Sequence, residues 1–146
     1  MKTGRTMNSI TILIVDDHPI VLKGIHALLS SSFPRASIMD AAGVGEAEEI
    51  LVRHDVDIMI TDLDLNGESG TTLIRHVRDI RPATQVVVYT MHEEPWSVSE
   101  IDSMDVEAVV MKSDSAGELL TAVGSLLDGK GYYSATFSRL LGSQKR

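Results

Sequence analysis

Residues 10–20 read ITILIVDDHPI, an apolar, β-branched run that ends on two aspartates, a histidine and a proline. Ile10–Val15 is strand-length, and a short continuous apolar run marks a strand buried on both faces. Pro19, whose fixed φ suits a first helical position, then opens a helix. That helix is expected to place Ile20, Val21, Gly24, Ile25, Leu28 and Leu29 on one face, and Phe33-Pro34 stops it. A buried strand feeding an amphipathic helix is one unit of a parallel α/β sheet.

The same unit recurs along the chain. Ala36–Asp40, Val56–Thr61, Gln85–Thr90 and Glu107–Met111 are the other strand-length runs. Between them, helical spacing covers about Val44–His54, then Gly70–Ile80 ending at Pro82, and a segment after Pro95. A fifth helix runs from about Ser115 with Leu119, Leu120, Val123, Leu126 and Leu127 inward. Right-handed crossovers predict a doubly wound α/β fold: a five-stranded parallel sheet of flavodoxin-like order 2-1-3-4-5 with helices on both faces. The predicted domain spans residues 9–129. Residues 1–8 read as a flexible N-terminal segment, and 130–146 as a linker or C-terminal extension toward an effector domain absent from this chain.

Composition narrows the function classes. With 146 residues, 43% of them hydrophobic, the chain can bury one core without staples. It has no cysteine, which removes disulfides and thiolate metal sites and suits a reducing compartment. Ile10–Val15 is too short for a membrane span or signal-peptide core, so the expected location is the cytoplasm, away from the membrane. A formal charge of −8 repels nucleic-acid backbones, so DNA contact is expected only through that missing C-terminal domain.

The chemistry concentrates where strands end. Asp16 and Asp17 follow the first strand, Asp62 the third, Thr90 ends the fourth and Lys112 follows the fifth. Ligands of a doubly wound sheet bind at those carboxyl ends, beside the switch point between strands one and three. Carboxylates in contact there would repel by about 4 kcal/mol per pair at a surface-like dielectric, so the cluster calls for a cation. Carboxylate-rich, water-retaining coordination points to Mg²⁺. A metal, a lysine and a hydroxyl around one carboxylate suit phosphoryl transfer to that carboxylate.

Asp16-Asp17, Asp62, Thr90 and Lys112 resemble, in order, strand and spacing, the signature positions of response regulator receiver domains of two-component systems. The resemblance covers about residues 9–129. It implies that Asp62 accepts phosphate from a sensor histidine kinase, and that Asp16, Asp17, Asp62 and the backbone carbonyl of Asp64 hold Mg²⁺. Thr90 and Lys112 would bind the phosphoryl oxygens. Such a protein is a switch, not an enzyme with a separate substrate, and homodimerisation on phosphorylation is expected of it. The Thr90-Met91-His92 and Gly131-Tyr132-Tyr133-Ser134 runs further resemble the branch with a C-terminal helix-turn-helix DNA-binding domain, which implies transcriptional control.

Three positions depart from the family pattern. Leu65-Asn66 lies between Asp64 and Gly67 where Met-Pro is usual, and a local change is expected. Val109 stands where many members carry an aromatic switch residue, and Ser113 where many have proline. Two other readings compete. Asp62-Leu63-Asp64 has the Asp-x-Asp form of haloacid-dehalogenase-like phosphatases, but an acidic pair already occupies the first-strand place where that family puts it. A single-domain or degenerate receiver acting as an adaptor is the other. An EF-hand reading of Asp62–Gly67 lacks its glutamate, since Leu73 holds the twelfth position. A dinucleotide reading of Gly43-Val44-Gly45 meets Glu48 at the third glycine. His18, His26, His54, His76 and His92 have no paired ligand spacing and read as surface or helix-face residues.

Overall fold

The computed structural model describes residues 10–144. The expected flexible segment at 1–8 lies outside them. The chain divides into two compact units, Met1–Thr84 and Gln85–Arg146.

In the first unit the order is β1 (Thr11–Val15), α1 (Pro19–Ser32), β2 (Ser37–Ala41), α2 (Val44–Arg53), β3 (Ile58–Thr61), β4 (Asp64–Leu65), β5 (Glu68–Ser69) and α3 (Gly70–Ile80). β1 lies between β2 and β3, parallel to both, with Ile12 opposite Ile38 and Ile58, and Val15 opposite Ala41 and Thr61. Ile12, Leu13, Ile14, Ile58, Met59 and Ile60 are all buried. Each such side chain contributes about 1.5–3 kcal/mol on leaving water. Leu29 of α1, Ala47 and Leu51 of α2, and Leu73 and Val77 of α3 are buried too.

Here one expectation fails: Ile20 is 87% exposed, and only Ile25 and Leu29 of the predicted α1 face are buried. Ile20 sits in the first turn of α1, with its side chain in solvent. The change expected at Leu65-Asn66 is a hairpin. β4 and β5 pair antiparallel, Asp64 with Ser69 and Leu65 with Glu68. Asn66 and Gly67 join them at φ 54° and 82°. Positive φ at both central positions is the tight turn that Asn-Gly favours.

The second unit runs β6 (Gln85–Thr90), α4 (Pro95–Ser103), β7 (Ala108–Met111), α5 (Ala116–Leu127), β8 (Tyr132–Tyr133) and α6 (Ala135–Gln144). β7 pairs parallel with β6 on one side, Thr90 opposite Met111, and with β8 on the other, Val109 opposite Tyr133. The orders β2-β1-β3 and β6-β7-β8 hold the neighbours expected for strands 2-1-3 and 4-5. Among the described residues the counts exceed the expected five strands and five helices, because the β4–β5 hairpin adds two short strands and residues 130–144 form elements of their own. They add β8 and α6, and Phe137 of α6 is wholly buried, edge-on to Tyr133 at 5.2 Å. Sequence periodicity shows only the sparse cluster Phe137, Leu140 and Leu141 there, and a two-residue strand is too short for a period of two to register.

Polar latches hold this segment down. Asp114 accepts hydrogen bonds from the Met111 amide at 2.9 Å and the Thr136 hydroxyl at 2.6 Å. Burial raises the pKa of Asp114, but hydrogen bonds from Thr136, Ser134 and Met111, with the Arg139 charge, outweigh it and hold the carboxyl below its usual range. Tyr132 donates to Glu118 at 2.6 Å, and that bond, then burial, pushes its phenol up to about 12.

Two substitutions test this packing in urea melts. Phe137→Ala should cost about 3–5 kcal/mol, the price of emptying a closed aromatic site; a loss under about 1 kcal/mol would mean that α6 is not part of the core. A Cβ on Gly70 would lie 2.2 Å from the Asp62 carbonyl oxygen, whereas one on Gly24 meets nothing within 4 Å. Gly70→Ala should therefore destabilise by about 1–3 kcal/mol, and Gly24→Ala should stabilise by about 0.5–1 kcal/mol.

Candidate functional site

Register brings two aspartates of the first unit together. Because Val15 lies opposite Thr61, the residues that follow, Asp16 and Asp62, emerge side by side at the carboxyl ends of β1 and β3. The Asp62 amide donates to the Val15 carbonyl at 3.2 Å, which carries the pairing one residue past the strand. Both carboxylates are buried, Asp16 to 2% and Asp62 to 4% exposure. Asp62 Oδ1 accepts its neighbour Leu63's amide at 2.7 Å.

His18 stands against Asp16 and Asp17. Asp16 Oδ1 accepts the His18 amide at 2.8 Å and lies 2.9 Å from His18 Nδ1. Asp17 Oδ2 accepts the Asn66 amide at 2.8 Å, so the β4–β5 turn is tied to the acidic pair. Asp17 Oδ1 is buried with no hydrogen-bond partner; His18 Nδ1 comes within 3.1 Å of it, but without hydrogen-bond geometry. Potential ligand atoms of Asp16, His18 and Asp62 all lie within 4.8 Å of one another. A buried carboxylate oxygen left unsatisfied among other carboxylates is costly unless a cation serves it. The donor set therefore fits a small divalent ion, with oxygen ligands from Asp16, Asp17 and Asp62. The Asp64 side chain is exposed.

α3 fixes the far side of the Asp62 peptide. The Gly70 amide donates to the Leu63 carbonyl at 2.8 Å, and the Ser69 hydroxyl caps the helix by accepting the Thr71 amide at 3.1 Å. Helix α3 thus starts directly against the Asp62 backbone, an approach only glycine permits.

In the second unit, Thr90 and Lys112 end neighbouring strands. The Lys112 amide donates to the Thr90 carbonyl at 2.7 Å. Thr90 is buried, and its Oγ1 accepts the His92 amide at 3.1 Å. Lys112 Nζ stands 5.7 Å from the centre of the Tyr89 ring, within cation–π range. Ser113 donates to Glu93 at 2.7 Å, joining the loop after β7 to the loop after β6. Val109 is buried.

Sequence reasoning missed several of these residues. His18 is exposed, as a surface histidine is expected to be, and it also contacts both Asp16 and Asp17. Its adjacency to Asp16-Asp17 was the available signal. Asn66-Gly67 is the strongest short-range hairpin signal a sequence carries and would have located the turn that reaches Asp17. Tyr89, Gly70 and Asp114 had no signal outside the folded geometry. His26 lies 2.9 Å from Asp40, and His76 contacts Glu48; both stay on the surface as expected.

Comparison with known proteins agrees with this geometry. Residues 12–124 match the response regulator receiver domain. Transcriptional regulatory protein RcsB of Escherichia coli K12 is 32% identical over 142 residues, which is 92% of this chain and 64% of that protein. The chain thus spans under two thirds of the curated relatives it first matches. The isolated receiver domain of RcsB from Salmonella enterica serovar Typhimurium, solved with the phosphomimetic BeF3⁻, superposes with a TM-score of 0.84 at 30% identity. That match covers 91% of this chain and 99% of the other. A LuxR-family two-component response regulator from Aurantimonas sp. SI85-9A1 gives 0.85 at 28% identity, over 94% and 98% of the two chains. These neighbours carry the expected doubly wound parallel α/β fold. No helix among the described residues is long and apolar enough to cross a membrane. The chain therefore belongs to the response regulator receiver domain family.

Proposed function

We propose that this receiver takes a phosphoryl group from a sensor histidine kinase onto Asp62, and that the phosphorylated form controls transcription. The observation that carries the reading is the buried pair Asp16 and Asp62 with the unsatisfied Asp17 Oδ1 beside it. Asp16, Asp17, Asp62 and the Asp64 carbonyl would hold Mg²⁺. Bound there, the ion supplies the positive charge that lets carboxylates and phosphoryl oxygens share one pocket. Asp62 attacks as nucleophile, Thr90 donates its hydroxyl to a phosphoryl oxygen and Lys112 pairs with another. On dephosphorylation water replaces the carboxylate, so the only turnover is self-directed.

Switching needs more than Thr90. Moving a two-state equilibrium from 1:99 to 99:1 takes about 5.5 kcal/mol, and one hydroxyl bond to a charged group contributes about 1.5–3. The Thr90 hydroxyl can give its hydrogen to a phosphoryl oxygen while Oγ1 still accepts the His92 amide. Lys112 contributes the rest with backbone amides after Thr90. Control of transcription follows from the relatives' description as transcriptional regulators, and DNA contact would come through a part of the protein outside this chain. One solved RcsB structure contains two dimers bound to DNA, and phosphorylation is expected to drive this receiver to associate as well. Such a regulator works in the cytoplasm.

Acetyl phosphate with Mg²⁺ should add one phosphoryl group to the wild type by intact-mass spectrometry; an equal mass gain in Asp62→Asn would defeat the assignment. Beryllofluoride with Mg²⁺ should shift gel-filtration elution toward a dimer, and an unchanged profile at high protein concentration would count against phosphate-driven association.

A further inference from the structure

We infer that His18 is a nitrogen ligand of the acidic pocket and turns its preference from Mg²⁺ toward borderline divalent ions such as Mn²⁺, Co²⁺ or Zn²⁺. The inference rests on the reading of Asp16, Asp17 and Asp62 as a cation site and concerns what that site selects.

Distances support it first. Two neighbouring ligands, each about 2.1 Å from an octahedral ion, stand about 3.0 Å apart. His18 Nδ1 stands 2.9 Å from Asp16 Oδ1 and 3.1 Å from Asp17 Oδ1, so one imidazole nitrogen makes two such edges. Only the first is a hydrogen bond. The second leaves Asp17 Oδ1 buried without a hydrogen-bond partner, and an ion between the three atoms would serve it. Asp62 offers its carboxylate within the same 4.8 Å envelope.

The backbone presents the ring in place. His18 is the residue before α1, at φ −102° and ψ 107°, with Pro19 opening the helix behind it. Its amide is held by Asp16 Oδ1 at 2.8 Å. The segment is therefore fixed before any ion arrives, and the ring needs little further ordering.

Chemistry gives the direction of the bias. Mg²⁺ prefers oxygen and gains little from an imidazole, whereas affinity for nitrogen donors climbs from Mn²⁺ through Co²⁺ toward Zn²⁺. The bland reading makes the His18–Asp16 contact a half-exposed ion pair, with the His18 side chain 62% exposed and that of Asp16 3%. Such a pair would not discriminate among ions.

Titration calorimetry of the full chain with MgCl₂, MnCl₂ and ZnCl₂ separates the two. The wild type should bind Zn²⁺ at least about tenfold more tightly than Mg²⁺. His18→Gln should lose most of that preference while its Mg²⁺ affinity stays within about threefold. Pulsed electron paramagnetic resonance of the Mn²⁺ form should show nitrogen coupling in the wild type and in His26→Gln, and none in His18→Gln. Coupling that survives His18→Gln, or that vanishes in His26→Gln, overturns the assignment, as does a parallel loss of all three ions. Failure of the wild type to bind Mg²⁺ at all, with Zn²⁺ bound through His18, would leave the inference standing and defeat the Mg²⁺-dependent reaction. Failure to bind any of the three ions defeats both.

Discussion

Parallel pairing of β1 with β3 puts two anions where water is scarce. Val15 opposite Thr61 admits no other outcome: the next residues on both strands are aspartates, and both carboxylates are buried. Hydrophobic burial along the strands enforces a register that electrostatics at their ends resists. A one-residue slip would turn every side chain of β1 to the opposite face, so the strands do not yield. The strain of like charges is left at the carboxyl edge, where it makes a pocket that gains from positive charge.

Much of this was legible in the sequence because it lies in short-range pattern. The strand-length runs, Pro19, Phe33-Pro34 and Gly70–Ile80 locate β1, α1, β2, α2, β3 and α3 to within a residue or two, but not the β4–β5 hairpin. Asp16, Asp17, Asp62, Thr90 and Lys112 each sit at a strand end, so topology alone put them in view. What stayed hidden depends on approach between segments distant in the chain. Gly70 needs to be glycine only because the Asp62 carbonyl lies against it. Ile20 has the spacing of a core residue and no neighbour to pack on. The segment after Gly129 reads only as a linker or C-terminal extension, because a two-residue strand and one buried phenylalanine leave almost no periodic trace.

That extension bears on how a signal leaves the site. Val109 cannot swing a ring, yet it lies in register with Tyr133 of β8, and Tyr133 packs on Phe137. Two residues past Lys112, Asp114 joins the end of β7 to Thr136 at the start of α6. A shift of Lys112 along the chain axis would therefore be felt in residues 132–137 through covalent neighbours and two hydrogen bonds. An aromatic on the adjacent strand stands beside the position where many family members carry their own.

The chain has a single tryptophan, and its place has an optical consequence. Trp96 lies in the first turn of α4, 67% exposed, with its ring 6.4 Å from that of His92. His92 in turn gives its amide to Thr90 Oγ1. Indole emission depends on water and on nearby quenching groups, so fluorescence from this protein originates at the arm that Thr90 begins. No label is needed to watch that arm, and no second indole dilutes its signal.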